Sequence, residues 1–165
     1  MQACNNTPPI QIKNKVHWIG LERLRWAKKF HIPISEAGPD PFPQPTLNPM
    51  RALWTLQDDQ EKLDRCLDAL WKAFWVEGKT IKDVGIWGKC LEDALGAAEG
   101  QKLVRLAGEK AAKDGLKRNT ESAFENGAFG LPWFVCTNSE GKTEGFWVCF
   151  TSSCFGAFPL FSPLY

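Results

Sequence analysis

Six cysteines and two histidines are the residues of this 165-residue chain that could do nucleophilic, redox or metal chemistry. The cysteines stand at 4, 66, 90, 136, 149 and 154, the histidines at 17 and 31. Disulfide exchange needs an attacking and a resolving thiol, and no C-x-x-C supplies them. Cys149 and Cys154 are five apart in an uncharged tail, a poor arrangement for redox work. Zinc spacing is absent, because no two ligands pair at short intervals with a histidine partner downstream, and no metal site is expected. Without a signal peptide, a reducing compartment is the default and the thiols are expected to be free. Cys66 and Cys90 fall on apolar helical stripes, where free cysteine behaves as a small hydrophobe.

A different kind of chemistry is suggested by NGAFGLPWFV, residues 126–135. Leu131-Pro132 stands directly before the best strand pattern in the chain, although proline cannot donate to a ladder. A cis Leu131–Pro132 bond would resolve the conflict, since cis proline belongs to tight turns. Leu131 would then present its N–H and C=O at a sheet edge, where an extended peptide can pair as an added strand. Gly127 and Gly130 would permit the positive φ angles and close approach of such a loop. The plainer alternative is that Leu-Pro merely opens a strand.

Hydrophobic residues make up 44% of the chain and charged residues 24%, enough for a packed core. The formal net charge of +1 lacks the basic excess of a nucleic-acid or membrane-surface protein, so neither partner is expected. Eight tryptophans against one tyrosine point to packing between helices, or to a cleft with flat walls.

The elements that must position the Leu-Pro loop are mostly helical. Residues 1–15 read as a loop, with Pro8-Pro9 blocking a helix. Leu21, Leu24, Ala27 and Lys28 are spaced for one face of a helix over 19–30. Five prolines between 39 and 49 exclude regular structure and predict a rigid inter-helix loop. A short helix near 49–56 follows. Asp58 and Glu61 then form a D-x-x-E capping box before a long helix. Its stripe is Leu63, Cys66, Leu67, Leu70, Trp71, Phe74 and Trp75. Further stripes follow at Trp87–Leu95, over 100–113 and over 114–126, the last stopping at Gly127. Residues 133–137 and 143–148, joined by a turn at Asn138–Gly141, predict a β-hairpin. Two strands do not stand alone, so partner strands are expected, with their natural place before residue 1. The tail of 18 residues from Val148 carries no charge and lacks helical period; its prolines and serines spoil a membrane span.

Three segments in order carry a family resemblance: NNTPPIQIKNK, FHIPI followed by the proline-rich loop and NPMRAL, and the helix ending in GAFGLP before the hairpin. Over about residues 1–147 the chain resembles the DsbA-like branch of the thioredoxin fold. More narrowly, it resembles the kappa-class glutathione transferases and their isomerase relatives acting on 2-hydroxychromene-2-carboxylate. The resemblance implies an α/β fold, a thioredoxin-like domain with a large all-α insertion, whose first strand–helix–strand half is missing here. Residues 1–17 would be a remnant loop, 18–113 the insertion, 114–148 the second half of the thioredoxin-like domain and 149–165 an atypical tail.

The implied cofactor is glutathione, and the implied chemistry is activation of its thiol for attack on an electrophile or a peroxide. Leu131, before Pro132, matches the residue whose backbone pairs with the cysteine unit of glutathione. Asn6 matches an asparagine of that site, and Lys15 a basic residue near the cleft, able to pair with a carboxylate. The serine that supports the thiolate would lie upstream of residue 1, so no catalytic residue is assigned. After GFW the family continues with glycine and an acidic residue, whereas this chain reads Val148-Cys149. A glutathione transferase, inactive as written, is therefore one expectation. A glutathione-dependent isomerase of the same fold and a non-catalytic helical binding protein are the others. The resemblance implies a homodimer in an intracellular compartment; mitochondrion, peroxisome and cytoplasm all remain open.

Overall fold

Apolar residues at helical spacing build most of the core. The computed structural model describes residue 5 and residues 7–147. Among them six α-helices precede one two-stranded sheet: α1 Lys15–Lys29, α2 Leu47–Trp54, α3 Gln60–Trp71, α4 Val84–Leu95, α5 Ala97–Leu106, α6 Lys110–Glu125, β1 Trp133–Thr137 and β2 Thr143–Trp147. The chain divides into two units. A helical unit spans Lys13–Arg118, and the described residues on either side of it form the other.

In the helical unit, α2 to α5 enclose Ala52, Leu53, Leu56, Cys66, Leu70, Trp87, Leu91, Leu103 and Ala107. The α4–α5 crossing is close because glycine stands on both helices. A Cβ at Gly100 would lie 2.5 Å from the Glu92 nitrogen, and one at Gly88 would lie 3.1 Å from a Val104 methyl. Side chains there would hold the backbones apart.

Several boundaries differ from expectation for local reasons. α1 begins at Lys15, four residues early, after Asn14 adopts a left-handed turn at φ 67°. The cap of α3 is Asp59, not Asp58: its carboxylate accepts from the Lys62 N–H at 3.2 Å. This hydrogen bond, first among the causes, holds the Asp59 carboxyl below its ordinary range. The long stripe is also interrupted. Lys72–Val76 forms a π-helical turn, closed by the Glu77 N–H on the Lys72 carbonyl. The wider turn breaks the 3.6-residue phase. Ala73 and Phe74 therefore enter a second cluster with Ile81, while Leu67 and Trp71 are each 42% exposed. The expected break between the last two helices falls at 107–109 rather than near 114, and Gly115 lies inside α6.

The proline-rich segment is tied down by side chains. Arg23 of α1 donates to the carbonyls of Ser35 at 3.0 Å and Glu36 at 2.9 Å, and its guanidinium lies 5.7 Å from the Trp75 ring centroid. The Ser35 N–H donates to the Trp75 carbonyl at 2.7 Å. Phe42 packs on Phe74 and Trp75. Gln44 is buried, and its amide oxygen accepts from the Lys82 N–H.

In the other unit, Pro9–Gln11 makes one 3₁₀ turn where a plain loop is expected. α6 ends in a Schellman arrangement: the Gly127 N–H donates to the Phe124 carbonyl and the Ala128 N–H to the Ala123 carbonyl. Gly127 has φ +89°, the left-handed geometry that this cap requires. β1 and β2 pair antiparallel, Trp133 opposite Trp147 and Thr137 opposite Thr143. Asn138 organises the turn, its side-chain oxygen accepting from the N–H groups of Glu140 and Lys142. The expected extension of the hairpin to residue 148, and the uncharged tail, lie outside the described residues.

Candidate functional site

The loop between α6 and β1 carries the sequence-level candidates Leu131 and Pro132. The Leu131–Pro132 peptide is cis. Leu131 is 80% exposed, and neither its N–H nor its C=O has a partner among the described residues. Two polar backbone groups are thus presented together, two residues ahead of β1, as an extended peptide would require.

Aromatic rings support this loop, a feature that sequence reading missed. Phe129 lies 5.9 Å from Trp133 and 5.0 Å from Trp147, centroid to centroid. At Gly130 the expected close approach is present, whereas a positive φ is not. A Cβ at Gly130 would stand 3.1 Å from the Trp147 indole nitrogen. The Trp133 ring fills the space where a Cβ at Gly145 would project. The legible signal was the diagonal placement of a small and a large residue on one face of the hairpin: Gly145 stands in β2 opposite Val135, two residues along β1 from Trp133.

The other candidates are placed separately. Lys15 is the first residue of α1, in the helical unit, and exposed. Asn6 lies outside the described residues. His31 borders an open groove of about 560 Å³ with Leu24, Ala27, Lys28, Ile32 and Glu36. Among the described residues no three histidine, cysteine or acidic side chains gather as a metal site would need.

The described thiols of the helical unit are poorly suited to nucleophilic work. Burial pushes the Cys66 thiol up to about 11 and raises that of Cys90 as well, the latter partly opposed by the Lys79 charge. Desolvation disfavours the thiolate, which is the reactive form. Cys136 of β1 is a partly exposed free thiol among the described residues; otherwise a thiol reaction would need its thiol from a bound ligand, or from residues outside those described.

Comparison with known proteins bears on the family. The DSBA-like thioredoxin domain matches residues 1–159, and the chain belongs to that family. Glutathione S-transferase kappa 1 of Rattus norvegicus is 28% identical over 150 residues, covering 87% of this chain and 65% of that protein. Glutathione s-transferase kappa 2 of Caenorhabditis elegans is 29% identical over 140 residues, covering 81% of this chain and 61% of that protein. The chain thus spans less than two thirds of the length of either relative. No helix among the described residues is long and apolar enough to cross a membrane.

Proposed function

We propose that the chain takes part in kappa-type glutathione transfer, with the Leu131 loop holding the peptide. The observation that carries this reading is the exposed N–H and C=O of Leu131 before the hairpin, neither of which has a partner among the described residues. The family and the kappa-class relatives supply the chemical context. Glutathione is an extended tripeptide with two free carboxylates, and an unpaired backbone donor and acceptor in one residue match its central peptide unit. Asn6 and Lys15 are proposed as further contacts, Lys15 through an ammonium–carboxylate pair. The helical unit is read as an insertion in a thioredoxin-like domain, and the assembly as an intracellular homodimer. The reaction is attack of the glutathione sulfur on an electrophile or a peroxide, after donors or a positive field lower the thiol pKa.

Titration of the full chain with glutathione, followed by amide NMR, tests the reading. The Leu131 amide should shift on saturation. Leu131→Pro removes that N–H and should weaken binding at least tenfold, while Leu131→Ala, which keeps it, should bind nearly as the parent does. Equal binding by Leu131→Pro and parent would remove the loop from the site.

A further inference from the structure

The near-neutral total charge conceals a strong local asymmetry. Residues 13–31 hold six cations, Lys13, Lys15, Arg23, Arg25, Lys28 and Lys29, and one acid, Glu22. Their net +5 stands against +1 for the whole chain, which leaves −4 for the remainder. α1 occupies most of this segment and contributes one residue, Ala27, to the buried core. Arg23 is spent inward on the Ser35 and Glu36 carbonyls. Trp18, Leu21 and Arg25 recur at i, i+3 and i+7 on one stripe turned away from Ala27, which corrects the expected Leu21–Ala27 face. Lys28 lies between that stripe and the groove that Ala27 lines. Trp18 is 55% exposed, and Val16, Ile19 and Leu21 are exposed beside it. At the C-terminal end Trp26 and Phe30 stack at 5.6 Å, with the Lys29 ammonium 4.8 Å from the Trp26 centroid. Lys15 and Lys28 have no carboxylate partner among the described residues.

Cations alone would fit any polyanion. The exposed apolar residues narrow the choice. Val16, Ile19 and Leu21 have neither a stacking face nor a hydrogen-bonding group to offer a nucleobase, whereas acyl chains accept them. Tryptophan set among lysines at a helix surface is the composition of helices that lie in the bilayer interface. We infer that α1 docks the protein peripherally on an anionic lipid bilayer, its cations on the headgroups and Trp18 and Leu21 at the acyl boundary. Apart from Lys15, proposed above as a glutathione contact, the residues of this surface take no part in glutathione binding, and none of the described helices crosses the bilayer in it.

Flotation of the full chain with vesicles tests the inference. Binding to phosphatidylcholine containing about 30% phosphatidylserine should be at least tenfold tighter than to phosphatidylcholine alone, and should vanish in 0.5 M salt, where exposed charges are screened. The double variant Lys28→Gln/Lys29→Gln should weaken it by about 25-fold, about fivefold per cation removed. Trp18→Ala should weaken it with the salt dependence unchanged. Far-UV circular dichroism of each variant checks that the fold is kept. The inference is overturned if the chain ignores both vesicles or binds them equally. Indifference of binding to Lys28→Gln/Lys29→Gln would do the same. So would tighter binding to a single-stranded oligonucleotide, or a dimer in sedimentation that Trp18→Glu dissolves, which would show a second copy covering this face.

Discussion

The indole of Trp54 fills the space that a Cβ at Gly115 would need. α2 and α6 therefore meet through the largest side chain and the smallest residue. Glycine inside a helix costs up to about 1 kcal/mol relative to alanine, and α6 accepts that cost so that the indole can pack. Gly115→Ala should then destabilise the protein, overpacking at about 1–3 kcal/mol outweighing the gain in propensity. Gly20→Ala in α1 is the internal control. A Cβ there meets nothing within 4 Å, so the same change should stabilise by about 0.5–1 kcal/mol. Thermal melts of the two variants should move in opposite directions.

The Trp54 indole N–H is buried without a hydrogen-bond partner among the described residues. Its removal therefore takes away an unpaid desolvation cost along with some packing. Trp54→Phe should cost less than about 1.5 kcal/mol, and Trp54→Ala about 3 kcal/mol or more, from the cavity left over Gly115. Chemical denaturation of both variants measures the gap; equal losses would show that the indole N–H is satisfied in solution.

Arg23 ties α1 to the proline-rich segment by two carbonyl hydrogen bonds. Arg23→Ala should cost about 2 kcal/mol, within the range for charged hydrogen bonds. Amide exchange at residues 35–44 should quicken by tenfold or more while α4 and α5 are unchanged. Lysine should rescue poorly, because a single ammonium lacks the planar fork that spans two carbonyls.

Burial raises the Cys66 thiol to about 11 from an ordinary 9.0. The folded state favours the neutral thiol, so this contribution to stability is complete below pH 9 and is lost as pH rises through about 11. At pH 8 about one Cys66 in a thousand is thiolate. Iodoacetamide labelling followed by mass spectrometry should modify the half-exposed Cys136 first. The Cys66 rate should climb close to tenfold per pH unit from 8 to 10. Cys66 labelling as fast as Cys136 at pH 8 would mean that the α3–α4 packing opens readily.

Much of this protein was legible in the chain itself. Helix periodicity located the core positions Cys66, Leu70, Trp87, Leu91 and Leu103, because an amphipathic stripe is a local property of spacing. The turn at Asn138–Gly141 and the C-cap at Gly127 followed from residues whose backbone preferences are intrinsic. Three short motifs in order identified the family, and the same motif marked Leu131.

Tertiary structure decided the rest. Spacing could not show that a π-helical turn at Lys72–Val76 would turn Phe74 into a second cluster, because the phase of a helix depends on what it packs against. Asp58 and Asp59 are both competent caps, and only the folded α3 selected Asp59. The sequence gives no reason for a glycine at 115 inside a helix, since the need for a missing side chain lies in Trp54, a neighbour 61 positions away in sequence. The charge of α1 was countable from the start. Which of its cations turn inward, as Arg23 does, and which remain free to meet a surface was a matter of packing.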